Sequence, residues 1–120
     1  MSSPVAVAVA TYIQANRERD PAVRARLLEE CFAETGRFVT RSKVYDRAGL
    51  TALLTDFVDN PNLVGFRVTH LQSGGTMFRY RSIVERNDGT ELEFFDAGEL
   101  DADGRIATML VFSGPLPEHG

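Results

Sequence analysis

Four long segments in the C-terminal half of the chain favour β-strands, and short turn sequences separate them. The segments span residues 66–72, 77–85, 91–101 and 105–113. The turns are Ser73-Gly74-Gly75, Asn87-Asp88-Gly89 and Ala102-Asp103-Gly104. Because each connection is short enough for a hairpin, consecutive strands should pair antiparallel. The sequence therefore predicts a four-stranded antiparallel meander.

The N-terminal half instead carries apolar residues at helical spacing and predicts three helices. Ser2 or Ser3 can cap the first helix, Asp20 can cap the second, and Asn60-Pro61 stops the third, which starts near Ala48. The apolar stripe of the first helix comprises Val5, Val9, Tyr12, Ile13 and Asn16. That of the second comprises Val23, Leu27, Leu28, Cys31 and Phe32.

Between the second and third helices the sequence predicts little regular structure. Gly36 is expected to end the second helix and to release a short strand over residues 37–40. Residues 42–46 form either a connection or a second short strand. Helices followed by a meander predict one α+β domain over residues 1–120, with the helices packed on one face of a curved, mainly antiparallel sheet.

Composition excludes several classes of function. The formal net charge is −4, which argues against nucleic acid as a partner. The single cysteine, Cys31, excludes an internal disulfide and a cysteine-based metal cage, and it indicates a reducing cytoplasm. The apolar start of the chain is too short for a membrane span or a signal peptide.

Asp96 is the best single indication of function. In the strand of residues 91–101 it shares one face with Leu92 and Phe94, because alternate residues point the same way. A carboxylate among apolar side chains is costly unless it is paired or protonated. Asp96 is therefore a candidate acid/base, although a structural carboxylate remains the alternative.

The residue opposite Asp96 depends on the turn at Asn87-Asp88-Gly89. A three-residue loop with a left-handed glycine sets Tyr80 opposite, whereas a two-residue loop sets Arg81 there and makes a salt bridge. We favour Tyr80, since Phe78, Tyr80 and Val84 form the more apolar face.

Two further features of the sheet stay open. One of two registers across Ser73-Gly74-Gly75 carries Phe66, Val68 and His70 onto the Asp96 face. Gly98 is a candidate β-bulge that could switch the facing of the residues beyond it.

Three segments carry a resemblance to a known superfamily. They are Tyr12-Ile13-Gln14-Ala15-Asn16-Arg17-Glu18-Arg19-Asp20, Cys31-Phe32-Ala33-Glu34-Thr35-Gly36-Arg37-Phe38 and Asp96-Ala97-Gly98-Glu99-Leu100-Asp101-Ala102-Asp103-Gly104-Arg105-Ile106. In their order and spacing the chain resembles the nuclear transport factor 2-like superfamily, and within it the SnoaL-like group related to polyketide cyclases. The resemblance implies a cone-shaped, cystatin-like roll.

The resemblance also implies roles for residues. In the ketosteroid isomerases of this superfamily, a tyrosine of the first helix and a strand aspartate form the oxyanion hole, at positions similar to Tyr12 and Asp96. Their general base falls at about Thr40, where this chain has no carboxylate, so a ketosteroid isomerase is not expected. Cyclase relatives use an aspartate similar to Asp96 alone, and dehydratase relatives add a histidine, for which His70 is the candidate.

For the last strand, the resemblance and simple pairing disagree. The resemblance implies that Met109, Val111 and Ser113 face the pocket. Pairing across Ala102-Asp103-Gly104 favours Leu110 and Phe112 instead, unless Gly98 is a bulge.

Our first hypothesis is a pocket enzyme of the cyclase, isomerase or dehydratase kind that acts on a hydrophobic carbonyl compound without cofactor or metal. Asp96 and Tyr12 are its candidate catalytic residues. Its candidate pocket residues are Tyr80, His70, Phe78, Phe94, Thr40 and Val111. The alternative hypothesis is a noncatalytic ligand-binding or dimerisation module of the same fold.

The same strand predicts a homodimer. Phe95 and Ala97 point away from the Asp96 face, so the strand is apolar on both faces. The helices can cover only one of these faces. We therefore expect a second copy of the chain to cover the other.

Overall fold

The computed structural model describes residues 3–115 and contains three helices and six strands. The predicted α+β class is confirmed. The elements are, in order, α1 (Pro4–Arg17), α2 (Pro21–Cys31), β1 (Phe32–Val39), β2 (Val44–Tyr45), α3 (Arg47–Asp59), β3 (Leu63–Gly74), β4 (Met77–Arg86), β5 (Glu91–Leu100) and β6 (Ile106–Ser113). Ser2, one of the two predicted caps, lies outside the described residues.

Each helix begins at a residue whose side chain accepts a hydrogen bond from the first turn. Ser3 Oγ accepts from the Ala6 amide at 3.1 Å, and Asp20 Oδ1 accepts from the Ala22 amide at 2.9 Å. Both caps were predicted. The third cap is Asp46, whose Oδ1 accepts from the Gly49 amide at 2.8 Å. These bonds satisfy amides that have no partner within the helix.

The six strands form one sheet in the order β2-β1-β6-β5-β4-β3. The four predicted strands pair antiparallel as expected, and β2 is the short second strand left open by the sequence. The pairing of β1 with β6 is parallel. Hairpin turns predict only pairs between neighbouring strands, so they did not predict this one.

The predicted end of the second helix is wrong. The helix ends at Cys31, and Phe32 begins β1 rather than belonging to the helical stripe. Gly36 lies inside the strand, where a side-chain Cβ would meet the Ile106 carbonyl oxygen at 2.9 Å and the Phe32 ring at 2.7 Å. A glycine is needed at this position because β1 passes so close to β6, not because a helix ends there.

The helices pack against one face of the sheet, which we call the inner face; the opposite side is the outer face. The inner face includes Phe66, Phe78, Tyr80, Val84, Asp96 and Met109, all of which are buried. On the outer face, β4 presents Arg79 and Arg81. No helix in the described part of the chain is long and apolar enough to cross a membrane.

Gly98 is not the predicted bulge. It pairs regularly with Phe78 and Met109, and the irregularity falls just after Glu99. A Cβ on Gly98 would meet the Thr108 carbonyl oxygen at 2.4 Å and the Phe78 ring at 2.6 Å. The register of β6 nevertheless places Met109, Val111 and Ser113 on the inner face, as the resemblance implied. Simple pairing, which put Leu110 and Phe112 there, is wrong.

Candidate functional site

Asp96 lies at the centre of the inner face, opposite Tyr80 on β4 and Val111 on β6. The predicted turn fixes this register. The Arg86 amide donates to the Thr90 carbonyl at 2.9 Å, and Gly89 closes the loop with a φ of 87°. The favoured of the two predicted pairings is therefore confirmed.

The carboxyl group of Asp96 is buried without a charged partner. The side chain is 5% exposed, and within residues 3–115 its Oδ1 has no hydrogen-bond partner. Arg81, the alternative partner, lies on the outer face, where its Nε donates to Glu93 Oε2 at 2.5 Å. Burial raises the pKa of Asp96 to about 7, and the nearby Tyr80 hydroxyl lowers it by a smaller amount.

Tyr80 is the phenol closest to Asp96 in the sheet. It is 3% exposed, and its ring stacks on Phe78 with centroids 6.1 Å apart. The hydrogen bond that its hydroxyl makes is to Met109 Sδ at 3.5 Å, and a thioether is a weak acceptor. Burial, and then the charge of Asp96, raise the pKa of Tyr80, so the phenol stays protonated and can donate to a stronger acceptor.

Tyr12 reaches the same region from α1. It is buried, as predicted, and its ring meets Phe66 edge-on with centroids 6.5 Å apart. Arg17 donates two hydrogen bonds to the Phe66 carbonyl, at 2.8 and 2.6 Å, and so fixes the end of α1 against β3. Burial, and then the charge of Asp96, raise the pKa of Tyr12, so this phenol also stays protonated.

Three predicted pocket residues surround this group on the inner face. Phe78 is buried, whereas Phe94 and Val111 are half-buried and pack against the core. Phe94 precedes Asp96 by two residues on β5, and Val111 pairs with Asp96 across β6. The side of Asp96 that faces Phe94 and Val111 is therefore closer to solvent than the side that faces Phe78.

The structure does not bring Thr40 to Asp96. Thr40 follows the end of β1, and its hydroxyl is held by the Lys43 amide at 3.1 Å and the Lys43 carbonyl at 2.9 Å. It lines a separate cavity of about 280 Å³, with Val39 and Val111 among its neighbours. Of the other predicted pocket residues, Val111 also lines this cavity.

The expected inward position of His70 is wrong. Phe66 and Val68 pair with Val84 and Ser82 on the inner face, but the register shifts between Thr69 and Gln72. His70 lies in this irregular stretch with a φ of 57°, and it is exposed. Left-handed backbone is uncommon outside glycine. The sequence patterns that predict regular alternation cannot reveal a bulge of this kind.

His70 instead borders a large groove of about 720 Å³. Its lining includes His70, Leu71, Arg79, Phe95, Ala97 and Phe112. Tyr80 and Asp96 lie in its floor, but their side chains belong to the inner face. We call this feature the outer groove. The sequence indicated an apolar outer face through Phe95 and Ala97, but not the basic side chains beside it.

One buried group was missed from the sequence. Arg24 on α2 is 1% exposed and donates to the Glu18 carbonyl at 3.1 Å and to Thr55 Oγ1 at 3.4 Å. Cys31, by contrast, was expected on the apolar stripe of the second helix; it is buried, and burial raises the pKa of its thiol to about 12. Among the described residues, no group of three or more His, Cys, Asp or Glu side chains is arranged to hold a metal ion.

Comparison with known structures identifies the fold. A SnoaL-like family protein from Agrobacterium tumefaciens, named as a candidate isomerase, matches with a TM-score of 0.81 at 21% identity, covering 95% of this chain and 100% of that one. An NTF-2-like protein of unknown function from Burkholderia xenovorans matches with a TM-score of 0.73 at 16% identity, covering 98% and 88%. No family model and no curated protein matches the sequence.

A de novo designed protein with a curved β-sheet also matches, with a TM-score of 0.76 at 16% identity, covering 96% of this chain and 89% of that one. The expected fold, a cone-shaped roll like that of nuclear transport factor 2, is confirmed. At these identities the likeness concerns the fold alone. Since a designed protein shares it, any activity must be argued from the site.

Proposed function

From this fold and its buried carboxyl group, we propose that the protein binds a small apolar carbonyl compound on the inner face and that Asp96 moves a proton on it. One observation carries the proposal: Asp96 Oδ1 is buried and, within the described residues, lacks a hydrogen-bond partner. Native structures rarely leave such a group unsatisfied. The carbonyl oxygen of such a compound would satisfy the group by accepting a hydrogen bond from the protonated carboxyl.

The protonation behaviour of Asp96 suits acid/base work. Because burial raises its pKa to about 7, both forms are populated near neutral pH. A general acid or base is most effective when its pKa lies near the operating pH. The carboxylate would take a proton from the carbon next to the carbonyl and leave the electron pair of the C–H bond in an enolate. The resulting carboxylic acid would return the proton to another atom of the compound.

Tyr12 and Tyr80 would stabilise the charge that such a reaction creates. Removing the proton turns the carbonyl oxygen into a negatively charged enolate oxygen. The raised pKa values of both tyrosines keep them as donors. Hydrogen bonds directed at a developing oxyanion in a dry site are among the strongest contributions to catalysis. The chemistry is that of an isomerase, cyclase or dehydratase and consists of proton transfers, for which no cofactor or metal is required.

The burial pattern indicates where the compound would lie. Phe78 and Tyr80 are buried, whereas Phe94 and Val111 are half-buried. A ligand would therefore approach Asp96 past Phe94 and Val111. We therefore expect the pocket toward the open end of the cone, next to the cavity at Thr40.

One observation favours the alternative, a noncatalytic binding or dimerisation module. Phe78 fills the space above Gly98, and its ring stacks on that of Tyr80. A cone filled in this way has less room for a substrate. In that case Asp96 is a structural carboxyl group and turnover is absent.

We also propose a homodimer formed by the outer face, in the cytoplasm where Cys31 stays reduced. Phe112 is 57% exposed and Leu110 is 38% exposed, and the two lie on the same face of β6. Exposed apolar side chains gathered on one face are typical of an interface. Sedimentation equilibrium at micromolar concentration tests this proposal: a monomer would contradict it.

Exchange of the hydrogens next to the carbonyl tests the catalytic proposal. A panel of small cyclic and aromatic ketones is incubated in D₂O with wild type or Asp96→Asn, and deuterium uptake is followed by NMR. We expect uptake with the wild type that falls about 10²–10⁴-fold in the variant, as for a lost acid/base group. Equal uptake in both would contradict the role of Asp96. Ketone binding without uptake would support the module.

A further inference from the structure

The outer groove has an apolar half that β5 and β6 supply. Phe95 pairs with Phe112, and Ala97 pairs with Leu110 across the same two strands. Phe95, Ala97 and Phe112 line the groove. Its volume of about 720 Å³ lies within the range of small-molecule sites. This half of the groove can hold the hydrocarbon part of a ligand.

The other half of the outer groove is basic. Arg81 is neutralised by Glu93. Arg79 differs: in the part of the chain that the structure describes, it has no carboxylate partner, and its Nε donates to Gln72 Oε1 at 2.7 Å. This bond uses Nε and leaves the two terminal amino groups of Arg79, which lines the groove, for a carboxylate.

His70 adds a second polar group at the rim. Its Nδ1 lies 2.9 Å from Thr69 Oγ1, which leaves Nε2 as the nitrogen that a ligand can meet. The irregular stretch with the left-handed His70 brings this ring to the groove. Residues in sparsely populated backbone conformations often lie at binding sites.

The charge of the groove is opposite to that of the chain. The formal net charge of the chain is −4. Around the outer groove, however, Arg79 has no carboxylate partner among residues 3–115, and the one carboxyl group of the lining, Asp96, has its side chain on the inner face. The outer groove therefore suits an anionic ligand.

We propose that the outer groove is a second binding site, which takes a small carboxylate with an apolar body, such as a medium-chain or aromatic acid. The carboxylate meets the terminal amino groups of Arg79 and Nε2 of His70. The apolar body packs on Phe95, Ala97 and Phe112. The site lies on the opposite face of the sheet from Asp96, so it does not depend on the proposed proton transfer.

A second copy of the chain is the competing occupant of this face. Arg79 on β4 lies two strands, or roughly 10 Å, from β6, where the exposed Leu110 and Phe112 are found. In a dimer formed along β6, the second copy would form one side of the apolar half of the groove and leave the basic half accessible. A dimer that covers β4 as well would exclude the carboxylate.

Isothermal titration calorimetry with octanoate tests the proposal, with octan-1-ol as the uncharged probe of equal length. Arg79→Gln removes the proposed anchor. Arg67→Gln is the matched control, because Arg67 also lies on the outer face but pairs with Glu85 and Glu91 outside the groove. We expect saturable octanoate binding that weakens about tenfold or more in Arg79→Gln, the loss for a charge-assisted hydrogen bond. Arg67→Gln should bind as the wild type does.

Three results would overturn the proposal. Equal affinities of the wild type for octanoate and octan-1-ol would show that the carboxylate is not recognised. Arg79→Gln and Arg67→Gln with equal affinities would show that Arg79 is not the anchor. A wild type that binds no octanoate and sediments as a dimer would show that a second copy fills the groove.

Discussion

Tyr80 on β4 and Asp96 on β5 are directly opposed across the antiparallel pair, and both side chains lie on the inner face with at most 5% of their surface exposed. The neighbour of the buried carboxyl group is thus a phenol and not a guanidinium. A phenol offsets little of the cost of burying a charge. For this reason burial dominates and the pKa of Asp96 rises.

The first prediction concerns stability and pH. In the unfolded chain the Asp96 carboxyl titrates near 3.8, and in the folded protein near 7. The folded state therefore binds this proton more tightly than the unfolded state does. The stabilisation that this proton gives is complete below about pH 4 and is lost as the pH rises through about 7. Asp96→Asn lacks this dependence.

Urea unfolding of wild type and Asp96→Asn at pH 5 and pH 8 measures the effect. Relative to the variant, the wild type should lose about 3 kcal/mol of stability between pH 5 and pH 8, because the effect is lost mainly between pH 5 and pH 7 in this range. At pH 8 the variant should be as stable as the wild type or more so. A variant that is less stable by about 3–5 kcal/mol at pH 8 would mean that Asp96 is an ionised partner in a buried pair.

The second prediction separates the two tyrosines. The Tyr80 hydroxyl lowers the pKa of Asp96, so Tyr80→Phe should raise that pKa further. Tyr12→Phe is the matched control, since Tyr12 is not among the groups that shift the Asp96 pKa. NMR titration of the Asp96 carboxyl carbon in both variants checks this. An unchanged value in Tyr80→Phe would show that its hydroxyl does not interact with Asp96.

The third prediction concerns Gly98. A methyl group there would meet the Thr108 carbonyl oxygen and the Phe78 ring, both closer than 3 Å. Gly98→Ala should therefore destabilise the protein by about 1–3 kcal/mol or more, as overpacking does. Gly74→Ala is the control, because nothing lies within 4 Å of its added carbon. Equal midpoints of thermal unfolding in the two variants would contradict the packing of Phe78 over Gly98.

The fourth prediction concerns the start of α2. Asp20 Oδ1 accepts from the amides of Ala22 and Val23, at 2.9 and 3.4 Å. Asp20→Ala should cost about 1 kcal/mol, the usual loss for a helix cap. Asp56→Ala, an exposed change inside α3, serves as the control and should cost much less. Chemical denaturation of both variants measures the difference.

Local rules predicted the centre of the site. The loop at Asn87-Asp88-Gly89 fixes the register of β4 and β5, and strand alternation then places Asp96 and Tyr80 on one face. The spacing of the first helix likewise placed Tyr12 inside. In each case a short stretch of the sequence is enough to predict which way the side chain faces.

Features that depend on distant contacts were not predictable in this way. Gly36 reads as a helix end, but it is needed because β6 passes close by. His70 leaves the inner face because of an irregular register, which no alternation pattern shows. Arg24 is buried because carbonyl and hydroxyl groups from other segments receive its guanidinium. These partners lie 6 and 31 residues away in the sequence.

The most direct test of the account is the pKa of Asp96 itself. Aspartate labelled with ¹³C at its carboxyl carbon is titrated by NMR, and Asp96→Asn identifies the Asp96 signal by its loss. We expect an apparent pKa of about 7 for this carboxyl group. A value at or below 3.8, the ordinary value for an aspartate, would show that the carboxyl group is charged and stabilised in the folded protein, and would contradict its proposed role as the acid/base.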